Sequence, residues 1–476
     1  MGKKYLGIDI GTTSLKAAVF LHDGKRLALR SVDYTLNTDP VTGYIEFDAE
    51  EYAVMCKRVI DELVVECDSI DAISVDTQGE TLILADECGV PLCPAVVWLD
   101  NRADEEAQLI KEKFGVKRVY DVTGQPEITA GWPASKLLWF KKNKPGIFNQ
   151  VKKVFMLEDW ILYRLTGEFV TEPTIQSSTI YFDIKRNSFW DEMLDFLELD
   201  RSALPRVVKP ATKVGYYRGI PVVSGMLDQI AGTIGAGVVS SDKISEMTGT
   251  IMAICVMKDE PPAYREDSIV PCHLHAIKGK YCMILWSATA GMALKWFKEQ
   301  FASDMSFADI DKIAEGVSAG CDGMTMLPYF CGSVIPHYNP QATASFSGVT
   351  LAHTKAHFAR SIMEAVAFML RDNLEYAQAP CDSELRITGG AASSRLWSEI
   401  MADVTKRTLH TVSESETACL GAAILAMVGV SRYATVEDAV KATVKTKKTY
   451  CPSGADYTSA YDRYRALDKK MNQRSK

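Results

Sequence analysis

The segment LGIDIGTTSLKAAVF, residues 6–20, constrains this chain more than any other stretch. Apolar runs rich in Ile, Val and Ala flank a turn of Gly, Thr, Thr and Ser, which predicts strands over 5–9 and 14–21. Asp9 stands directly ahead of that turn. Such a carboxylate can be a solvated turn residue. It can equally face a metal that escorts nucleotide phosphates, with Gly11 admitting a ligand close to the backbone and Thr12, Thr13 and Ser14 offering N–H and O–H donors. No Walker-type lysine loop accompanies it.

At 476 residues the chain is too long for one core and reads as two or three domains. A formal net charge of −8, without a long Lys/Arg run, argues against a general nucleic-acid binder. The twelve cysteines are scattered, with no C-x-x-C pair and no Cys/His cluster at zinc spacing, as expected of reduced thiols in a cytosolic protein. No stretch approaches the roughly 20 apolar residues of a membrane span. Asp9 cuts short the apolar run after Lys3 and Lys4, so no signal peptide is expected. The expectation is a soluble, cytoplasmic protein binding neither nucleic acid nor membrane. Its oligomeric state, a homodimer included, is left open.

HDGK (22–25) offers a hairpin turn and predicts a third antiparallel strand near 26–33. Residues 47–67 open on an Asp cap and carry apolar residues at intervals of three and four, a helix. AISVDTQ (72–78) reads as a short buried strand, and another begins near 81. Alternation of this kind predicts an α/β architecture with a mixed sheet. Downstream, ISEMTGTIMAICVM (244–257) echoes the first hairpin. Aligning Gly249 with Gly11 puts Thr250 on Thr12 and Met247 on Asp9. The echo predicts two related domains, with the metal nearer the first, which alone has the carboxylate. Further on, 353–378 reads as a long helix, 384–406 as strand, glycine turn and helix, and 413–430 as a small-residue helix able to pack closely. The expected division is 1–243, 244–446 and a peripheral helical tail, 447–476.

Four further segments bear on chemistry. In GIPVVSGMLDQIAGTIGAG (219–237), Asp228 follows a buried strand and precedes a small-residue helix. It can be the helix N-cap. It can also be a carboxylate at a strand's carboxyl end, placed to take the proton of a sugar hydroxyl, with Gln229 holding an adjacent hydroxyl. TGGAA (388–392) is a plain turn, or a shelf on which adenine lies flat against backbone. DTQGE (76–80) and WLDNRA (98–103) each follow a buried strand. Trp98 could stack on a sugar's apolar face while Gln78, Glu80, Asp100 and Arg102 bond its hydroxyls. WLDNR can equally be a helix start with an Asp cap and a buried Trp.

Together these segments resemble the FGGY carbohydrate kinases over nearly the whole chain. GWPASKLLWFKKN (131–143) is similar to the family's first signature and ASFSGVTLAHTKAHFARSIME (344–364) to its second. DIGTTS, RLTGEFVT (164–171), LPYFCGSVIP (327–336), TGGAASSRLW and ACLGAA (418–423) follow in family order. The resemblance implies ATP-dependent phosphorylation of a small sugar or polyol by two actin-like, ribonuclease-H-like domains, mixed sheets flanked by helices, closing on a cleft. It implies Asp228 as general base and Asp9 near Mg²⁺. By the same carry-over Gly11, Thr12, Thr13, Gly249 and Thr250 are phosphate-facing turns, and Gly389, Gly390 and Ala391 the adenine shelf.

Overall likeness is strongest to xylulose kinases, which usually carry Gln-Met-His where this chain has Gln78, Gly79 and Glu80. Glycerol kinases place Gln-Arg-Glu there and follow the base with Gln, as Gln229 does here, yet the aromatic context of Trp132 looks less like theirs. A xylulose-like ketopentose is the expected substrate, with a glycerol- or tetritol-type polyol as the alternative. Two other classes remain to be tested: a non-catalytic nucleotide sensor of actin-like fold, and a different phosphotransferase such as an acetate kinase.

Overall fold

The structure, a computed structural model, describes residues 2–473. Lys4–Ile10 forms its hairpin with Ser14–Leu21, Asp9 lying opposite Lys16, and the Gly11 N–H closes the turn onto the Ser14 carbonyl at 3.0 Å. Tyr5, Leu6, Ile8 and Ile10 are all fully buried, as in a strand covered on both faces. Arg26–Asp33 adds the expected third antiparallel strand. On the other side Ala72–Thr77 runs parallel, bringing Asp76 level with Asp9.

A parallel neighbour needs a crossover. Here it includes the helix Ala49–Cys67, whose first N–H groups are met by the Asp48 carboxylate and whose buried Tyr52, Cys56, Val59, Ile60 and Leu63 recur at helical spacing. Ile220–Leu227 pairs parallel to Ala72–Thr77 on its far side, and Lys213–Tyr217 closes the six-stranded sheet.

The second sheet repeats that plan. Lys243–Thr248 and Met252–Lys258 form the echoed hairpin. Glu384–Gly389 lies parallel to Lys243–Thr248, and Leu409–Val412 parallel to Glu384–Gly389. Met247 stands level with Thr388, as Asp9 does with Asp76. The echo is therefore topological as well as local: a hairpin flanked by two successive parallel strands, with the paired carboxylates only in the first copy.

Two compact units result. One comprises 1–239, 257–282 and 416–444; the other comprises 240–256, 283–415 and 445–476. These compact units interleave along the chain, whereas the expected division into 1–243, 244–446 and 447–476 is contiguous, and close backbone packing accounts for the interleaving. The small-residue helix Thr417–Gly429 lies against the first unit's own elements: a Cβ at Gly7 would meet the Cys419 carbonyl at 1.8 Å, and one at Gly421 would meet the Ala231 carbonyl at 2.1 Å. The tail, expected as a peripheral helix, begins as a strand, Thr446–Tyr450, paired with Leu409–Val412, and continues into the helix Thr458–Gln473, which buries Tyr461 and Tyr464. Among the described residues no helix is long and apolar enough to cross a membrane.

Candidate functional site

Three adjacent parallel strands of the first unit end side by side, and each carries an acid within one residue of its carboxyl end. Asp9 and Asp76 are register partners near the ends of their strands. Met226 and Leu227 pair with Asp76 and Thr77, so Asp228 emerges one residue beyond. Carboxyl ends of parallel strands are where α/β sheets present reacting groups. Asp228 is not the N-cap, a position taken by Leu227. It is the first residue of the helix Asp228–Gly235, its Oδ1 accepting from the Gln229 N–H at 2.6 Å. A carboxylate there is favoured by the helix dipole.

The acids influence one another. Burial pushes the Asp9 carboxyl up to about 6, against the pull of Lys16, which is ion-paired to Glu416 at 2.9 Å. Burial raises Asp76 well above the carboxylate range, and the charges of Asp9 and Asp228 add to it. Apart from the neighbouring Asp9 carboxyl, none of the described residues donates a hydrogen bond to either oxygen of Asp76. Buried oxygens of this kind fit a bound cation.

The expected sugar residues divide into two groups. Gln78 is buried, its Nε2 donating to the Tyr52 hydroxyl at 3.3 Å while its Oε1 has no donor among the described residues. Glu80 adopts φ +53°, and burial raises its carboxyl to about 7 although Lys136 draws it down. Side chains already fill the space above Gly79, where a Cβ would meet Ser178 Oγ at 3.0 Å and Leu227 Cδ1 at 3.1 Å. That crowding disfavours a longer side chain at this position. Trp98 is 39% exposed rather than buried, and its Nε1 donates to Thr12 Oγ1 at 3.0 Å, tying it to the first hairpin turn.

Asp100 and Arg102 are committed to one another. Asp100 accepts from Arg102 Nε at 2.8 Å and from the Ile45 N–H at 2.6 Å, while Arg102 also reaches Glu46 at 2.7 Å and lies over the Tyr44 ring. With Asp100 fully buried this pair braces the loop, and the following helix starts only at Asp104. Trp132 is the N-cap residue of Pro133–Asn143 and donates to the Glu127 carbonyl at 2.8 Å.

In the second unit the two glycine turns meet. The Gly390 N–H donates to the Thr248 carbonyl at 2.8 Å, and a Cβ at Gly389, whose φ is +79°, would strike that carbonyl at 2.4 Å. The Gly291 N–H, opening Gly291–Phe301, donates to the Gly249 carbonyl at 2.9 Å. Ala391 is buried behind them, whereas Thr250 is exposed, as Thr13 is in the first unit. The nearest atom to a Cβ would be 3.7 Å away at Gly11, 3.9 Å at Gly249 and 3.8 Å at Gly390, leaving room above each backbone for a ligand. Beneath them lies Glu246, fully buried and held by the Thr248 hydroxyl.

Sequence reasoning assigned no role to Asp76, Lys136 or Glu246. Asp76 and Glu246 sat inside quoted strands, and a strand pattern does not distinguish a buried acid from an exposed one. Lys136 sat inside the first signature; its Nζ bridges the Glu80 and Val97 carbonyls at 3.1 and 2.9 Å.

Paired acids at the carboxyl ends of neighbouring parallel strands, beside a hydroxyl-rich turn, are the groups a phosphotransferase-type site needs, and the fold that carries them is two-domain α/β. Residues 4–235 match the N-terminal domain, and residues 248–430 the C-terminal domain, of the FGGY family of carbohydrate kinases. The chain belongs to that family and is a sugar kinase of the actin-like ATPase type. It is 26% identical to the xylulose kinase of Lactococcus lactis subsp. lactis, over 93% of this chain and 91% of that one. It is 28% identical to the gluconokinase of Bacillus subtilis, over 89% and 86%. The ligand-bound xylulose kinase structure from Lactobacillus acidophilus superposes with a TM-score of 0.90 at 25% identity, covering 99% of this chain and 98% of that one.

Proposed function

We propose that this kinase transfers the γ-phosphoryl group of ATP to a terminal hydroxyl of a small neutral ketose, a xylulose-like pentulose foremost. The observation that carries the reading is the convergence of Asp9, Asp76 and Asp228 at the ends of three neighbouring parallel strands. A sugar hydroxyl is a poor nucleophile until its proton has somewhere to go, and Asp228 supplies that acceptor. Trp98, Gln78, Glu80 and Gln229 orient the sugar. Gly11, Thr12 and Thr13 receive phosphate oxygens, while Gly249, Thr250 and the Gly389–Gly390–Ala391 turn hold the nucleotide. Asp9 and its register partner Asp76 would hold Mg²⁺, Asp76 through buried oxygens that lack donors from other described residues, since Mg²⁺ is usually held by one or two carboxylates together with phosphates and waters. Bound there, Mg²⁺ would neutralise charge on the phosphoryl group.

Charge supports a neutral acceptor. Lys136 is engaged by backbone carbonyls and Arg102 by Asp100 and Glu46, so neither is open to an acceptor carboxylate. A second reading, an aldonate such as gluconate, draws on the Bacillus subtilis gluconokinase, as similar in sequence as several xylulose kinases. A third, a glycerol- or tetritol-type polyol, draws on Gln229 after Asp228. Family membership speaks against the non-catalytic sensor and the acetate kinase. A coupled assay of ADP release across pentuloses, hexuloses, gluconate, glycerol and tetritols tests the reading. The expected result is highest kcat/KM with a pentulose; preference for gluconate or glycerol would overturn the substrate assignment.

A further inference from the structure

We propose that Glu158, Glu172 and Thr174 form a buried brace that positions Asp228, so that three side chains touching no substrate set the rate of proton removal. The proposal rests on the reading of Asp228 as base. Its ground is an irregularity in the strand that delivers Asp228. Ile220–Leu227 pairs with Ala72–Thr77 through Val223, loses register, and resumes at Met226. At that slip Gly225 presses onto its neighbour so closely that a Cβ would lie 1.6 Å from the Val75 carbonyl. Backbone N–H groups near such a slip need partners from elsewhere.

Two side chains supply them. Glu158 Oε1 accepts from the Gly225 N–H at 2.8 Å, and Thr174 Oγ1 accepts from the Leu227 N–H at 2.8 Å. Thr174 is itself fixed, donating its hydroxyl to Glu172 Oε1 at 2.6 Å, while Glu172 also accepts from the Thr174 and Ile175 N–H groups at 2.7 and 2.6 Å. All three braces are fully buried. They grip the two residues either side of Met226, the last turn of backbone before the base.

An uncompensated buried acid is expensive, and a strand this apolar could have been held by a regular ladder. Burial raises Glu158, with Glu172 and Asp159 adding to it, and the Glu158 charge in turn helps raise Asp76. Burial raises Glu172 as well, against the bonds it accepts. Protonated or not, each retains an oxygen that accepts an N–H, so the grip persists while the pair holds a proton. What the arrangement provides is a fixed exit angle for residue 228.

Thr174→Val removes the acceptor of Leu227 at nearly constant volume. Misplacing a catalytic group by about 1 Å costs up to about 100-fold, so the expected result is a 10- to 100-fold fall in kcat with KM for sugar and ATP changed less than twofold. Thr174→Ser, which restores the hydroxyl, should return kcat to within about threefold of wild type. Placed on Asp228→Ala, Thr174→Val should cost nothing further, because a brace acting through the base has nothing left to position.

If Thr174→Val does not fold, Thr174→Ala removes the hydroxyl without new bulk, and kcat per folded molecule carries the same expectation. Wild-type kcat in Thr174→Val while Asp228→Ala is inactive would overturn the brace and leave the base. Equal loss in Thr174→Ser, or an undiminished further loss on Asp228→Ala, would likewise overturn it. Normal turnover by Asp228→Ala alone would overturn the base reading and the brace with it.

Discussion

Lys136 makes no contact with water: its Nζ donates to two carbonyls, and burial lowers its pKa to about 7 although Glu80 and Asp100 hold it up. Lys136→Met would strand both carbonyls beside the Glu80 carboxylate. Breaking a buried charged contact costs about 3 kcal/mol, so the urea midpoint should fall accordingly, and the loop bearing Trp98 should loosen with a rise in KM for sugar. Glu246 carries a different consequence. Burial raises its carboxyl from 4.5 to about 8, so the folded protein holds a proton that the unfolded chain has released. Stability from this group is therefore complete below about pH 4.5 and falls as pH rises toward 8. Glu246→Gln, which cannot ionise, should lose less Tm than wild type between pH 5 and 8 in calorimetry. Asp9 and Asp228 were recognisable as candidates because each adjoins a strand–turn junction. Asp76, Lys136 and the Asp100–Arg102 pair were not, because their meaning lies in partners that local pattern does not name.

Among elements, the helix Thr417–Gly429 shows how small residues work. Gly421 lies where a Cβ would be 2.1 Å from the Ala231 carbonyl, on the helix that begins with Asp228, and a Cβ at Gly235 would lie 1.8 Å from the Thr417 carbonyl. Backbone rather than flexible side chain stands in the way, so relief requires the helices to part. Gly421→Val should lower stability by about 3 kcal/mol or more, read from the denaturant midpoint. The hairpins and the long helices Ala49–Cys67 and Lys355–Tyr376 were legible from periodicity, since alternation and three–four spacing report which face is buried. The cap at Leu227 and the strand at 446–450 were not. A cap depends on where the first helical turn closes, and an exposed edge strand of Lys and Thr carries no apolar alternation.

For the whole molecule, the order of motifs read the family from end to end, yet the division into units did not follow the chain. A helix more than 170 residues beyond the expected boundary completes the first unit's core. A polypeptide of residues 1–243 should therefore fail to fold cooperatively, with exposed apolar surface binding a hydrophobic dye. A sharp two-state melt from that fragment would count against the architecture. The substrate was the least legible feature, because Gln78, Gly79 and Glu80 fit neither relative's pattern and acceptor choice depends on a few hydroxyl contacts. The most direct test of the central claim, that a carboxylate at residue 228 activates the acceptor, is sugar-dependent ADP release by Asp228→Ala with ATP affinity measured in parallel. The account predicts turnover reduced by about 100-fold or more with ATP binding intact; turnover equal to wild type would contradict it.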